Sequence, residues 1–118
     1  MSKIIGTGID IIEVARINSA IQRWGKHFLN HVFCPEEIEY AKNHKFPSQH
    51  FAARFAAKEA ILKAIGDNAH VNWKDMKIVN DKHGRPVCKY ADKKFKSKIL
   101  ISISHTKRYA VASAIITT

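Results

Sequence analysis

Two carboxylates and a lysine stand out from their surroundings in this sequence. Glu59 lies in Phe51-Ala52-Ala53-Arg54-Phe55-Ala56-Ala57-Lys58-Glu59-Ala60-Ile61-Leu62-Lys63-Ala64-Ile65, where alanine and large apolar residues dominate. A carboxylate on a mostly apolar helix must find a partner or keep its proton. Asp10 ends Lys3-Ile4-Ile5-Gly6-Thr7-Gly8-Ile9-Asp10, which reads as a strand, an element in which acids are depleted. Mg²⁺ takes one or two carboxylates from a protein and fills its shell with water and substrate phosphate oxygens, so Asp10 and Glu59 could supply the pair. Lys63 would then neutralise charge developing on a leaving phosphate. Two plainer arrangements fit the same residues. Glu59 and Lys63 at i,i+4 can form a helix ion pair worth about 0.2–0.5 kcal/mol when exposed, and Asp10 can cap the helix that follows.

These side chains need elements to hold them. In the first strand Ile5, Thr7 and Ile9 share one face and Gly6, Gly8 and Asp10 the other. Two glycines strip the Asp10 face of side chains, so a ligand or another backbone can come close there. A helix is expected from Glu13, with Val14, Ile17, Ile21, Trp24 and Phe28 as its apolar stripe, Arg16, Arg23 and His27 opposite, and Gly25 weakening or bending it. Cys34-Pro35-Glu36-Glu37 reads as a new helix start, with acids at the positive end of the dipole, and that helix should fade between Asn43 and Lys45. The strongest helix spans Ser48 to Ile65, is apolar on nearly every side and stops at Gly66. Met76–Val79 and Val87–Tyr90 form a hairpin around 80–86, and Ile99–Ser104 and Tyr109–Ile116 are strands joined by His105-Thr106-Lys107-Arg108. Strand, helices, then strands predicts an α+β fold, with an antiparallel sheet packed on the long central helix.

Composition bounds the function. The 118 residues suit one domain spanning 1–118 that buries roughly two thirds of its unfolded surface. No apolar run is long enough to span a membrane, and the N-terminus lacks the apolar stretch of a signal peptide. Two cysteines, Cys34 and Cys88, make neither a disulfide framework nor a four-thiolate zinc site, and both are expected as reduced thiols in a cytoplasmic protein. Twenty Lys+Arg against ten Asp+Glu give a net charge of +10, a surface that attracts polyanions: nucleic acid, a phosphorylated cofactor or an acidic protein. A basic nucleic-acid-binding module is the alternative class, although no helix-turn-helix, aromatic RNP strand or zinc pattern supports it.

Three segments occur together in a recognisable order. Gly6-Thr7-Gly8-Ile9-Asp10-Ile11 comes first, then Arg54-Phe55-Ala56-Ala57-Lys58-Glu59-Ala60 followed by Lys63-Ala64-Ile65-Gly66. Ile103-Ser104-His105-Thr106 before Tyr109-Ala110-Val111-Ala112 closes the set. From Ile4 to Ile116 the chain resembles the holo-[acyl-carrier-protein] synthases, the small bacterial type of 4′-phosphopantetheinyl transferase. The resemblance implies transfer of the phosphopantetheine arm of coenzyme A to a serine of apo acyl carrier protein, releasing adenosine 3′,5′-bisphosphate. It implies Mg²⁺ on Asp10 and Glu59, with Glu59 and Lys63 as catalytic groups. Lys63 would also contact the cofactor phosphates. Arg54, His105 and Thr106 would lie near the 3′-phosphate, and Gly66, Gly84 and Pro86 on the cofactor path. Arg16 and Arg23 would dock the acidic carrier. It also implies a homotrimer with active sites between subunits, across which Arg54 or His105 acts.

Some positions depart from the family pattern. Asp67-Asn68-Ala69-His70 replaces a second glycine-containing stretch, and His83 stands where the hairpin often has Asn. His27 and His31 replace arginines of some relatives, which would make carrier docking sensitive to pH near 6–7.

Overall fold

The computed structural model describes residues 1–66, 71–91 and 95–118. In chain order the elements are β1 (Ile4–Glu13), α1 (Val14–Trp24), α2 (Lys26–Val32), α3 (Pro35–Lys42) and α4 (Pro47–Ile65), then a short 3-10 turn (Trp73–Asp75), β2 (Met76–Asn80), β3 (Pro86–Tyr90), β4 (Lys98–His105) and β5 (Tyr109–Thr117). β1, β5 and β4 form an antiparallel sheet in that order, and β2 pairs with β3 as a separate hairpin. The α+β class is as expected, and α4 is the buried central helix.

Two expected boundaries moved. β1 runs past Asp10 to Glu13 because its ladder with β5 continues to the Glu13–Tyr109 pair. The helix expected from Glu13 through Phe28 is two helices. Gly25 takes φ +54°, a left-handed conformation that suits glycine, and ends α1 rather than bending it. Trp24 therefore leaves the apolar stripe and is 55% exposed, while Ile17 and Leu29 stay buried.

α4 lies against β1 at unusually close range. A Cβ built on Gly6 would overlap the carbonyl oxygen of Ala64, and one on Gly8 would overlap that of Ala60. The approach expected over the bare strand face is thus made by the helix backbone itself. The facing residues are small on both sides: Gly6 and Gly8 on the strand, Ala60 and Ala64 on the helix.

The far side of α4 is held by a buried ion pair. Lys58 Nζ donates to Glu37 Oε1 at 2.7 Å, to Val32 O at 2.7 Å and to Trp73 O at 3.0 Å, and both side chains are fully buried. The Glu37 carboxylate also accepts from the backbone N–H groups of Cys34, at 2.8 Å, and Ile78, at 2.9 Å. Each of the three ammonium protons has an acceptor, which is the condition for a buried charge to be tolerated. The pair ties together α2, α3, α4, the 3-10 turn and β2.

The other face of the sheet is open and apolar. Ile5, Ile9, Ile11, Leu100 and Tyr109 are each more than 40% exposed.

The glycine contact can be tested directly. Gly→Ala at a compatible position stabilises by about 0.4–1 kcal/mol. Gly8→Ala should instead destabilise by about 3 kcal/mol or more, because the new methyl meets main chain on both rigid partners. Urea unfolding monitored by circular dichroism measures this, and a stabilised variant would show that helix and strand do not touch there.

Candidate active site

The strand–helix contact decides where the charged residues fall. Asp10 continues the Gly6–Gly8 face of β1 and so points to the α4 side. Glu59 and Lys63 each precede one of the two contacting alanines on α4, which sets them along one edge of the same interface. Lys63 Nζ donates to Asp10 Oδ1 at 3.2 Å and to Ile9 O at 2.9 Å. The described ion pair of Lys63 is therefore with Asp10, not with Glu59 as the helical spacing alone would allow. Capping by Asp10 also falls away. The residue at the N-cap of α1 is Glu13, and no side chain caps that helix end.

Glu59 is half-buried, and its carboxyl is raised above the usual carboxylate range. Burial contributes most, the charge of Asp10 adds to it, and Lys63 opposes both. Two carboxylates close enough for Asp10 to raise the proton affinity of Glu59, at a half-open edge, form a donor set suited to a hard divalent cation. Among the described residues no group of three or more His, Cys, Asp or Glu side chains is arranged so that it could hold a metal ion. A cavity of about 360 Å³ lined by Thr7, Gly8, Ile9 and Lys63 opens beside the pair, along the unpaired edge of β1.

A second polar centre lies on another stripe of α4. Arg54 is only 4% exposed, and its guanidinium lies 4.0 Å from the Tyr40 ring centroid. Its Nε has no hydrogen-bond partner. His50, one turn earlier, packs against His44 at 4.2 Å and against His105 at 5.4 Å between ring centroids. Tyr40 adds its ring to His44 at 4.3 Å. Arg54 is thus not the surface arginine that a lone helix position would suggest.

The hairpin and turn residues are also in place. Gly84 has φ +80° in the β2–β3 loop, and Asp81 Oδ1 accepts from His83 N and Arg85 N at 2.8 and 2.9 Å. Pro86 and Arg85 line a cavity of about 470 Å³ between this hairpin and β4. Thr106 is used locally: its Oγ1 accepts from the N–H groups of Arg108 and Tyr109 at 3.2 and 3.1 Å, closing the β4–β5 turn. Gly66 ends α4 with φ +90°, its N–H donating to Leu62 O at 3.1 Å. The Asp67–His70 segment lies outside the described residues.

The cysteines contribute no nucleophile. Both are free; burial pushes the Cys88 thiol up to about 11 and also raises Cys34, helped by the Glu37 carboxylate.

Comparison with known proteins decides what this arrangement belongs to. The family model of the 4′-phosphopantetheinyl transferase superfamily matches residues 6–114. The chain is 44% identical over 117 residues to holo-[acyl-carrier-protein] synthase of Protochlamydia amoebophila, covering 94% of this chain and 96% of that protein.

The chain belongs to the holo-[acyl-carrier-protein] synthase family.

Solved structures agree. The Bacillus anthracis synthase in complex with coenzyme A (3′,5′-ADP) superposes with a TM-score of 0.85 at 34% identity, covering 98% of this chain and 97% of that one. The Helicobacter pylori synthase in complex with coenzyme A gives 0.82 at 31% identity, covering 93% and 98%. These likenesses leave the nucleic-acid-binding alternative without support. Within the family frame, Asp10 and Lys63 come into direct contact and Glu59 is electrostatically coupled to both. Arg54 and His105 both border His50 within one chain. Arg16 and Arg23 are exposed on α1, the latter over the Trp24 ring at 5.1 Å.

Sequence reasoning missed His44, His50 and Tyr40. A signal existed: His50, Arg54 and Lys58 recur at i, i+4 and i+8 and draw a polar stripe along an otherwise apolar helix.

Proposed function

We propose that this protein transfers the 4′-phosphopantetheine arm of coenzyme A to a serine hydroxyl of apo acyl carrier protein, releasing adenosine 3′,5′-bisphosphate, in support of fatty acid biosynthesis. The observation that carries the reading is the Asp10–Lys63–Glu59 cluster at the open edge of β1, in a chain of this family. Crystal structures of two relatives are named as complexes with coenzyme A, which supports it as co-substrate here. The serine oxygen forms a bond to the pantetheine-side phosphorus, and the anhydride bond to the nucleotide phosphate breaks. The serine proton is lost and the bisphosphate departs with the bond electrons.

Asp10 and Glu59 would hold Mg²⁺, which when bound draws charge from the diphosphate. Lys63 is already aimed at Asp10 and would turn its ammonium to the phosphates as the leaving group gains charge. Either Glu59 or a water held by the metal would take the serine proton. The rest is positioning, which dominates phosphoryl-type transfer. Gly66, Gly84 and Pro86 would border the cofactor, and Thr106 shapes the turn that carries His105.

The carrier is acidic in this family, and the exposed Arg16 and Arg23 present charges that would speed encounter. Next to them Trp24, Phe28, His27 and His31 line a mostly apolar cavity of about 340 Å³ that suits a helix face. The exposed apolar sheet face with Ile5, Ile9, Ile11, Leu100 and Tyr109 supports a homotrimer, since a monomer would leave that patch in water. Two free, proton-retaining thiols fit a reducing compartment, the cytoplasm, and no described helix is long and apolar enough to cross a membrane.

The deciding experiment is mass spectrometry of apo acyl carrier protein after incubation with this protein, coenzyme A and Mg²⁺. A gain of one phosphopantetheine is expected, and Asp10→Ala or Glu59→Ala should slow it by at least about 100-fold. No mass gain, or unimpaired variants, would refute the assignment. Arg23→Glu should raise the carrier KM on the order of tenfold and leave that for coenzyme A unchanged; an unaltered carrier KM removes Arg23 from the docking surface. Sedimentation equilibrium should give the mass of three chains, and an active monomer would contradict the shared-site arrangement.

A further inference from the structure

We infer that Tyr40 is a positioning residue for the transfer: its ring sets the guanidinium of Arg54, and its hydroxyl, through Asn80, sets the β2–β3 hairpin. The inference rests on the coenzyme A reading above and extends it. It gives roles to Tyr40 and Asn80 and makes two separate elements of the nucleotide side depend on one side chain.

Three elements meet here in two parallel rungs. Glu37 and Tyr40 lie one turn apart on α3, and Lys58 and Arg54 lie one turn apart on α4. On β2, Ile78 and Asn80 are two residues apart and so share a face. The first rung joins the Glu37 carboxylate to Lys58 Nζ at 2.7 Å and to the Ile78 N–H at 2.9 Å. The second rung repeats this one turn further on. Arg54 lies over the Tyr40 ring, its guanidinium carbon 4.0 Å from the centroid, and the Tyr40 hydroxyl accepts from Asn80 Nδ2 at 2.9 Å. The buried first rung fixes the register in which the second forms.

The two rungs hold their cations differently. One carboxylate and two carbonyls meet the three protons of Lys58, which leaves none over. A ring face attracts Arg54 through its quadrupole without neutralising it. Arg54 is 4% exposed, forms none of the described ion pairs and has no partner at Nε. Stacking therefore sets its place while its charge stays available to a substrate. A carboxylate in place of the ring would also fix the guanidinium, but it would cancel that charge.

The hairpin is fastened outward from the same point. Asn80 ends β2 opposite Pro86. Asp81, the next residue, ties the loop to itself: Oδ1 accepts from the N–H groups of His83 and Arg85 at 2.8 and 2.9 Å, and its own N–H donates to Arg85 O at 2.8 Å. A loop tied in this way moves as one piece, and the Asn80–Tyr40 bond fastens it to α3. Tyr40 thus joins Arg54 to the loop that carries Gly84 and leads into Pro86.

Steady-state kinetics at saturating carrier, with coenzyme A and 3′-dephospho-coenzyme A as alternative substrates, tests this. Tyr40→Phe keeps the ring and loses the Asn80 bond. That variant and Asn80→Ala should each raise KM about threefold, alike for both substrates. Their double variant should be no worse than either one. Tyr40→Leu loses the ring as well, and should lower the preference for coenzyme A over its dephospho form about fivefold, acting on KM more than on kcat. A residue that only supports the fold would reduce the amount of active enzyme and leave that preference alone. An unaltered preference in Tyr40→Leu, or penalties that add in the double variant, overturns the proposal and leaves the transferase reading standing. A wild-type protein that uses both substrates equally removes Arg54 from the 3′-phosphate and overturns it too. If neither substrate supports transfer, the transferase reading falls and takes the proposal with it.

Discussion

The backbone contact between β1 and α4 is the constraint on which the site depends. Two strand residues advance about 6.7 Å and four helix residues about 6 Å, so a Gly-x-Gly strand can meet an Ala-x-x-x-Ala helix in register over two steps. Gly6 takes Ala64 and Gly8 takes Ala60. Extending the pattern by one strand step brings Asp10 to the same interface, and stepping back one residue from each alanine gives Glu59 and Lys63. The small residues thus fix where the charged ones stand. A side chain at either glycine would push the helix away and separate the carboxylates.

Charge in this protein divides into satisfied and expectant groups. Lys58 and Glu37 are fully buried, and the hydrogen-bonding capacity of the ammonium is filled, so the pair holds structure and offers nothing to a ligand. The groups assigned to function are each incomplete. Glu59 retains its proton more tightly than a free carboxyl, Asp10 leans on a lysine that is itself half-exposed, and Arg54 has an unpaired Nε. Polar groups left wanting in a folded protein mark where a ligand supplies the missing partner.

Much of this was legible in the sequence because it rests on local rules. The alternation of Ile5, Thr7 and Ile9 against Gly6, Gly8 and Asp10 needs only the strand period, and the burial of α4 follows from alanines on nearly every side. The Gly25 break was visible as a weakness but not as a full stop, since a left-handed turn depends on how α2 packs. Three things lay beyond reach for one reason. The Lys63–Asp10 pair, the Lys58–Glu37 pair and the His44–His50–His105 stack join residues whose approach depends on tertiary packing. Helical spacing proposed Lys63 for Glu59 because it counts only neighbours along the chain.

The two functional centres share α4 but not a face of it. Arg54 and Glu59 are five residues apart, about 7.5 Å along the axis and about 140° around it. Arg54 faces α3 and Tyr40, whereas Glu59 borders β1. A helix buried in the middle of its fold stands between these directions, so a cofactor lying on one protomer would have to wrap around the core to touch both. A shared site would remove the difficulty, with the diphosphate end on the β1 edge of one chain and the 3′-phosphate end near Arg54 and His105 of a neighbour. The apolar sheet face, whose outward residues include Thr7 and Ile9 beside the Lys63 cavity, is suitably located to bring such a neighbour in. Assembly and catalysis would then be one requirement, because a lone protomer would present each end of the cofactor with only half of its partners.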